Sequence, residues 1–418
     1  MFDPALVNRF GKLETPFYYY DLELLKATLK ACADAAFKHQ FYVHYAMKAN
    51  FNPRVLATIQ SFGFGADCVG GNEVLAAVNH GFKKEKVVFA GVGKSDKEIN
   101  LALDQDIFCF NVESVQELQI INDLASAKNK KAGIAIRINP NIDAHTHHFI
   151  TTGLEENKFG INTWELPKVA EKLRECRNLQ FLGIHFHVGS QINDLGVFRE
   201  LCLKVNEMQS WFQGQGFEVK VLNVGGGLGV DYEQPDENNI VNFESYFQVF
   251  KDFLHIKPDQ EVHFELGRAL VANCASLIAR VLYVKNGIQK NFLILDAGMT
   301  ELIRPMLYQA YHQIENLSRQ PLAISHQPSA VGENAAAIHH EPSAMNHPET
   351  AIGNSQLTTE YDVVGPICES TDCFRTDVEL PESERGDLIA IRTAGAYGEV
   401  MASGYNLRDR VQAVYSEG

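Results

Sequence analysis

The sequence contains no apolar run long enough to cross a bilayer and no leader-like segment at its start. Its longest apolar runs have the length of strands, whereas a membrane-spanning helix needs about 20 such residues. Residues 1–13 mix charged and apolar positions and lack the apolar centre of a signal peptide. We therefore expect a protein that neither spans a membrane nor carries a secretion signal.

Positive charge is also scarce. The chain has 37 Lys and Arg residues against 52 Asp and Glu residues, so its net charge is -15 at pH 7. Nucleic acids and anionic membrane surfaces attract proteins with basic patches. The composition therefore predicts neither kind of partner.

Paired cysteines and metal-ligand spacings are missing too. The eight cysteines are scattered over 418 residues without a CxxC pair, which is typical of reduced thiols in a cytoplasmic protein. Residues 319–358 are rich in Pro, Ser, Ala, Asn and His and lack periodicity, which predicts a flexible insertion. The histidines of this stretch have no carboxylate or thiol at ligand spacing, so we predict no metal site there; they are His326, His339, His340 and His347.

What the sequence does contain is a regular alternation of strand-like runs and helix-period segments over its first two thirds. Eight strands with intervening helices is the count of a (β/α)8 barrel. A doubly wound sheet is the alternative, but it usually has fewer strands. The predicted strands are Phe41–Ala46, Gly65–Cys68, Val87–Ala90, Ile107–Phe110, Gly133–Ile138, Phe181–His187, Val221–Val224 and Val262–Glu265.

The last third is rich in strands and has few long helices, which predicts a second, β-rich domain. Phe17–Tyr20 is another strand-like run and is expected to pair with that domain. We therefore predict an α/β protein in which a barrel, residues 36–275, is inserted into a β-rich domain made of residues 1–35 and 276–418. The later predicted strands are Ser276–Lys285, Asn291–Ala297, Tyr361–Cys368, Asp387–Arg392 and Arg410–Tyr415.

Residues that can carry chemistry recur at the ends of the predicted barrel strands. Barrel active sites form at the C-terminal ends of the strands, where this sequence places Lys48, Asp67, His187, Gly225–Gly227 and Glu265. No member of this set is specific alone. Their common position predicts an active site.

Each residue of the set has a chemical and a structural interpretation. Burial would depress the pKa of Lys48 and free its amine for imine formation, although a lone strand-end lysine is usually on the surface. The glycines of Gly225–Gly229 would let backbone N–H groups cradle a phosphate, or form only a tight turn. His187 could stack on a flat ring, with His185 on the same strand face as a competitor.

Glu265 and the C-terminal region add further candidates. A carboxylate at Glu265 would keep a pyridine nitrogen protonated, unless it forms a structural ion pair with Arg268. Arg304 and Tyr308 suit a carboxylate ligand. Cys368 follows a Gly-Pro-Ile turn and precedes acidic residues, which raise a thiol pKa and favour a proton donor; a buried cysteine in a β-turn is the alternative.

Together these motifs resemble the barrel-type, fold type III pyridoxal-phosphate (PLP) decarboxylases from about Thr15 to Tyr415, outside the insertion. The similarity is greatest to the members that act on diaminopimelate. One departure is Leu266, where the family usually has proline. The matching segments are Tyr45–Asn50, His187–Gln191, Gly225–Gly229, Glu265–Arg268, Arg304–Pro305, Cys368–Ser370 and Gly395–Tyr397.

The resemblance implies a role for each matching residue. Lys48 would bind PLP as an imine, His187 would stack on its ring and Glu265 would pair with its nitrogen. Cys368 would return a proton to the α-carbon, and in the homodimer implied by the family Cys368 and Glu369 would reach the Lys48 of the other subunit. The phosphate would be surrounded by Ser190, Gly227, Glu265, Leu266, Gly267 and Arg268, and the substrate would be contacted by Arg268, Arg304, Tyr308, Glu369 and Tyr397, with Tyr397 also touching the cofactor.

The expected substrate is meso-2,6-diaminopimelate, converted to L-lysine and CO₂. Segments 137–148 and 152–160 resemble the diaminopimelate branch, and Arg304 and Glu369 would pair with the distal carboxylate and ammonium. A simple diamine precursor such as ornithine has no distal carboxylate. Carboxynorspermidine carries two amines and a carboxylate, so charge pairing leaves it open. A noncatalytic PLP-binding protein would be expected to lack the acid, yet Lys48 and Cys368 are both present.

Overall fold

The computed structural model describes residues 2–142, 158–319 and 358–416. Residues 320–357, which make up nearly all of the predicted insertion with its four histidines, lie outside the described residues, as do residues 143–157 of the two substrate-related segments. In the described part of the chain, no helix is long and apolar enough to cross a membrane.

Eight parallel strands close into a barrel, which confirms the predicted (β/α)8 architecture. A first strand, β1 (Phe17–Tyr20), precedes them. The barrel closes because the last strand pairs with the first, with Tyr42 opposite His263. The barrel strands are β2 (Tyr42–Ala46), β3 (Gly65–Cys68), β4 (Val87–Phe89), β5 (Cys109–Val112), β6 (Ala132–Arg137), β7 (Leu179–His185), β8 (Val221–Asn223) and β9 (Glu261–Leu266).

Helices alternate with these strands and bury their apolar faces against them. Local sequence explains where they begin: Ser95 precedes one helix and its hydroxyl accepts from the backbone N–H of Glu98, whose carboxylate reaches back to Ser95. The helices are α1 (Pro4–Gly11), α2 (Leu22–His39), α3 (Pro53–Ser61), α4 (Gly71–Asn79), α5 (Asp96–Asp104), α6 (Val115–Ala127), α7 (Leu166–Glu175), α8 (Leu195–Gly214), α9 (Phe243–Phe253), α10 (Arg268–Val271) and α11 (Arg304–Tyr308).

A separate eight-stranded sheet forms the β-rich part of the fold. β1 pairs antiparallel with β10 and parallel with β16, so Phe17–Tyr20 joins the C-terminal strands as expected. The order β12-β15-β10-β11-β13-β14 describes the rest of the sheet. Its later strands are β10 (Ala275–Asn286), β11 (Asn291–Leu295), β12 (Ile314–Asn316), β13 (Thr358–Val364), β14 (Cys373–Pro381), β15 (Leu388–Ile391) and β16 (Gln412–Tyr415).

Several strand ends differ from the predictions. β5 begins at Cys109 rather than Ile107, and β7 ends at His185, two residues before His187. β14 was missed, since charged residues occupy its exposed positions and only a few of its side chains are buried. The domain boundaries at residues 36 and 275 stay a prediction.

The turn after β2 is tied to the segment that follows β15. The Asn50 side-chain amide donates to the carbonyl oxygen of Gly395 at 2.8 Å and to the Tyr20 hydroxyl at 2.9 Å. The backbone N–H of Tyr397 donates to the carbonyl oxygen of Ala49 at 2.8 Å. The β-rich sheet and its following loop therefore hold the turn that contains Lys48.

Candidate active site

A cavity of about 1170 Å³ opens at the C-terminal ends of the barrel strands. It brings together residues predicted from distant parts of the sequence. Cys368 and Glu369 are exposed and do not line this cavity within the same chain. The predicted residues that line it are Lys48, His187, Ser190, Gly227, Glu265, Leu266, Gly267, Arg268, Arg304, Tyr308 and Tyr397.

Lys48 lies on the short 3₁₀ turn after β2 and points into the cavity. Its Nζ is 3.3 Å from Oδ2 of Asp67, which is fully buried at the end of β3. Burial alone would lower the pKa of Lys48, but the nearby carboxylates of Asp67 and Glu265 outweigh burial and raise it. The predicted depression of this pKa is therefore wrong for the unmodified lysine, because the fold supplies acidic neighbours.

Asp67 lacked a role in the sequence-based interpretation beyond its strand-end position. Burial, and next the nearby charge of Glu265, raise its pKa to about 7 against the pull of Lys48. Its Oδ1 atom is buried and has no hydrogen-bond partner among the described residues. Asp67 is therefore a carboxyl group that titrates near neutral pH beside the Lys48 amine.

Glu265 is the penultimate residue of β9, and its carboxylate is fixed by three side chains. Oε1 accepts from Nδ2 of Asn111 at 3.0 Å and from Nδ2 of Asn223 at 2.8 Å, while Oε2 lies 3.0 Å from Nε2 of His185. Burial would raise the pKa of Glu265, but His185 and then Lys48 hold it below its usual range. The carboxylate is therefore ionised and held at a fixed position.

The two histidines of the β7 region have separate places. His185 is committed to Glu265, whereas His187 lies just beyond the strand end and lines the cavity. Burial and the charges of Lys48 and Arg137 hold the pKa of His187 well below its ordinary value. A neutral, flat imidazole at His187 is suited to stacking on an aromatic ring; His185 also lines the cavity, but its Nε2 is held by Glu265. Stacking by His187 stays a prediction.

The glycines after β8 leave room for backbone to approach a ligand. Gly227 has φ +112°, and a Cβ there would lie 2.8 Å from the carbonyl oxygen of Gly189. A Cβ at Gly226 would lie 1.9 Å from the carbonyl oxygen of Glu265. Only glycine fits this turn, so its backbone is available to cradle a phosphate beside the cavity.

Arg268 forms no ion pair with Glu265, so the alternative of a structural ion pair between these two residues is wrong. Its Nε and Nη2 donate to Oγ of Ser190 at 3.2 and 3.1 Å, and Nη1 donates to the Tyr232 hydroxyl at 2.6 Å. Arg268 therefore faces the glycine turn with Ser190, as expected for a phosphate-binding group.

The site fits PLP part by part. Lys48 offers an amine for its aldehyde, His187 a plane for its ring, and ionised Glu265 a partner for its nitrogen. Ser190, Arg268 and the glycine turn offer hydrogen-bond donors for its phosphate. The Asp67 carboxylate beside the amine has a second, buried oxygen, Oδ1, without a hydrogen-bond partner among the described residues, so it could accept from a polar group.

Arg304 is buried at the start of α11 and shares the cavity with Lys48. Its guanidinium lies 5.0 Å from the centre of the Tyr232 ring, and Nη1 lies 2.9 Å from Nε2 of His312. Tyr232 and His312 were not predicted from the sequence. Neither follows a barrel strand directly, and nothing in their local sequence marks them.

The loop with Cys368 is well anchored although its side chain is exposed. The N–H of Cys368 donates to Oδ1 of Asn406 at 2.9 Å, and Asp372 accepts from the N–H groups of Ile367 and Met299 at 2.8 and 2.6 Å. The alternative of a buried turn cysteine is therefore wrong. The thiol is presented outward from its own subunit.

Known proteins resemble both the sequence and this geometry. The family model described as "Pyridoxal-dependent decarboxylase, pyridoxal binding domain" matches residues 23–272. A diaminopimelate decarboxylase from Bacteroides thetaiotaomicron is 51% identical, covering 96% of this chain and 96% of the relative, and one from Aquifex aeolicus is 37% identical, covering 99% and 88%. The crystal structure of diaminopimelate decarboxylase from Helicobacter pylori complexed with L-lysine has a TM-score of 0.84 and 37% identity, covering 98% of this chain and 94% of that one.

Proposed function

Since the chain belongs to the pyridoxal-dependent decarboxylases, in the branch that contains the diaminopimelate decarboxylases, we propose that it converts meso-2,6-diaminopimelate to L-lysine and CO₂. One observation favours diaminopimelate over a simple diamine precursor such as ornithine: the buried guanidinium of Arg304 opens onto the same cavity as Lys48. No carboxylate of residues 2–142, 158–319 and 358–416 forms an ion pair with Arg304. A buried cation of this kind calls for an anionic ligand.

The barrel residues that line the cavity have separate roles in binding the cofactor. When bound, PLP supplies an electron-poor ring that accepts the electron pair left by the departing CO₂. Lys48 would hold the cofactor through its amine, and the Asp67 carboxylate lies 3.3 Å from that amine. Glu265 is ionised and therefore maintains a proton on the ring nitrogen. Ser190, Arg268 and the glycine turn hold the phosphate.

Arg304 and Tyr308 bind the end of the substrate that does not react. The distal end of diaminopimelate is an amino acid, with a carboxylate for Arg304 and an ammonium for Glu369. Tyr397 is placed to contact both cofactor and substrate, since it lines the cavity and Arg268 lies 5.0 Å from its ring centre. A substrate without the distal carboxylate leaves a buried guanidinium unpaired, which costs binding free energy.

Cys368 supplies the proton that replaces CO₂ on the α-carbon. The reaction loses one carboxylate and gains one proton at that carbon, so an acid near the α-carbon is required. Cys368 and Glu369 lie outside the cavity of their own subunit. We place them in the site of a partner subunit within a homodimer.

Mixing inactive variants tests the shared site. Chains with Lys48→Ala and chains with Cys368→Ala would each be inactive alone. In a shared site, a mixed dimer holds one intact site, so random mixing is expected to restore about a quarter of wild-type activity. No recovery after mixing and subunit exchange would contradict the shared site.

Release of CO₂ tests the reaction itself. The protein loaded with PLP is expected to release CO₂ from meso-diaminopimelate and to form an equal amount of L-lysine. Ornithine and carboxynorspermidine serve as comparison substrates, and Lys48→Ala as the control without cofactor attachment. Turnover of carboxynorspermidine with none of diaminopimelate would overturn the assignment.

A cytoplasmic location is part of the same proposal. All eight cysteines are free, and the role given to Cys368 requires a reduced thiol. A reducing compartment preserves such a thiol. Detection of the enzyme in the cytosolic fraction of its native cell, and its loss of activity on thiol oxidation, would check this.

A further inference from the structure

His312 lies behind Arg304 and holds two hydrogen bonds that determine its tautomer. Its Nδ1 is 2.8 Å from the carbonyl oxygen of Arg392, and its Nε2 is 2.9 Å from Nη1 of Arg304. A carbonyl oxygen only accepts and a guanidinium only donates. Both contacts are therefore satisfied only by a neutral ring with hydrogen on Nδ1 and a lone pair on Nε2.

The surroundings keep His312 in that neutral form. The side chain is 3% exposed, and burial together with the charge of Arg304 lowers its pKa to about 3. A protonated ring would direct an N–H group at a guanidinium N–H group. His312 therefore acts as a fixed acceptor for Arg304 at physiological pH.

Tyr232 separates Arg304 from the second buried guanidinium, that of Arg268. Its hydroxyl accepts from Arg268 at 2.6 Å, and its ring lies 5.0 Å from the Arg304 guanidinium. The same ring packs edge-on against His312, with ring centres 5.2 Å apart. Burial would raise the pKa of Tyr232, but the charges of Arg268 and Arg304 lower it overall, as expected for a hydroxyl that faces two cations.

These contacts give the two arginines different directions. Arg268 is bound by the hydroxyls of Ser190 and Tyr232. Arg304 has one nitrogen bound by His312 and one face covered by Tyr232, and it lines the cavity with Tyr308. Among the described residues neither arginine has a carboxylate partner. Arg304 is thus the guanidinium left for an anionic group of the substrate.

We propose that His312 and Tyr232 are positioning residues that direct Arg304 at the distal carboxylate and so determine selection for substrates that carry one. This inference rests on the proposed function. It predicts that substituting His312 or Tyr232 weakens the binding of ligands with a distal carboxylate. The binding of carboxylate-free ligands of the same length should not change for that reason.

Two inhibitors distinguish an effect on binding of the distal carboxylate from a general disturbance of the active site. L-Lysine keeps the distal amino-acid end of diaminopimelate, whereas cadaverine has the same carbon chain without a carboxylate. In the PLP-loaded enzyme, His312→Phe removes the acceptor for Arg304. We expect the KM for diaminopimelate and the inhibition constant of L-lysine both to rise roughly tenfold or more. The inhibition constant of cadaverine and the cofactor absorbance are expected to stay at wild-type values.

Two further variants keep the test decisive if His312→Phe does not fold. His312→Gln offers an amide oxygen near the position of Nε2 and is expected to restore most of the L-lysine affinity. Tyr232→Leu removes the ring against Arg304 and also a partner of Arg268. Measured at saturating PLP, it is expected to weaken L-lysine more than cadaverine. Equal weakening of both inhibitors, or unchanged L-lysine affinity, would overturn the proposal. Absence of CO₂ release from diaminopimelate by the wild-type enzyme would instead refute the proposed function.

Discussion

Nζ of Lys48 lies 3.3 Å from Oδ2 of Asp67, a carboxylate with no solvent exposure. The amine that would hold the cofactor therefore lies beside a carboxyl group whose pKa is raised by burial to about 7. Asp67 can therefore take up a proton near neutral pH without leaving the core.

Replacing Lys48 is expected to remove the cofactor link while keeping the fold. Lys48→Ala should lose the visible absorbance of lysine-bound PLP and CO₂ release, because no other lysine among the cavity-lining residues is present. Protonated Asp67 should limit the change in the free energy of unfolding to about 1–3 kcal/mol. Lys38→Ala, at an exposed lysine, is the matched control, and an intact absorbance band in Lys48→Ala would contradict the assignment.

The carboxylate of Glu265 is expected to matter for the rate more than for cofactor binding. Glu265→Gln keeps the shape of the side chain but removes the negative charge opposite the ring nitrogen. We expect kcat to fall on the order of a hundredfold, while PLP stays bound. Glu261→Gln, at the opposite end of β9, is the control. Similar losses in both variants would show that the strand rather than the charge is responsible.

Cys368 is expected to act after CO₂ has left. Cys368→Ala should retain the absorbance of bound PLP and lose on the order of a hundredfold in product formation, the range typical of a missing general acid. Cys373→Ala, at a half-buried cysteine five residues later, should keep its activity. Equal L-lysine formation by wild type and Cys368→Ala would remove this thiol from the mechanism.

Acid is expected to destabilise the barrel through His44, a buried histidine of β2. Its Nε2 lies 2.8 Å from Nδ1 of His263 and its Nδ1 lies 3.0 Å from the carbonyl oxygen of Lys86. Burial, and then the neighbouring His263, lower its pKa from 6.5 to about 3. Between these values the unfolded chain binds the proton and the folded chain does not, so the free energy of unfolding falls as pH falls.

Denaturant unfolding between pH 7 and pH 4 measures this dependence. His44→Gln should make the free energy of unfolding less steep with pH than in wild type. The exposed histidine at position 255 gives the control variant His255→Gln, for which the wild-type slope is expected. A slope in His44→Gln as steep as in wild type would assign the acid sensitivity to other groups.

The sequence predicted those features that depend on a single strand and on the residues at its end. Alternating runs predicted the barrel, and strand-end positions predicted Lys48, His187 and Glu265 as neighbours, all of which line one cavity. The start of β5 and the end of β7 were off by two residues because the apolar runs extend beyond the paired residues at those ends.

Properties that depend on several distant residues were not predictable in the same way. The sign of the Lys48 pKa shift depends on the distance to Asp67, which the sequence does not contain. The hydrogen bonds on Glu265 come from β5, β7 and β8, so Asn111 and Asn223 became recognisable only once the barrel had closed. Tyr232 and His312 come from irregular segments, which carry no periodicity that could have marked them.

The bonds from Asn50 to Gly395 and from Tyr397 to Ala49 have a consequence for biosynthesis. The ribosome makes the lysine turn early, but its partners emerge almost 350 residues later. The barrel strands can pair with one another before then, but the turn that contains Lys48 still lacks its hydrogen bonds to Gly395 and Tyr397. Capture of the cofactor is therefore expected to follow release of the finished chain, and a chain halted before residue 395 should retain little PLP.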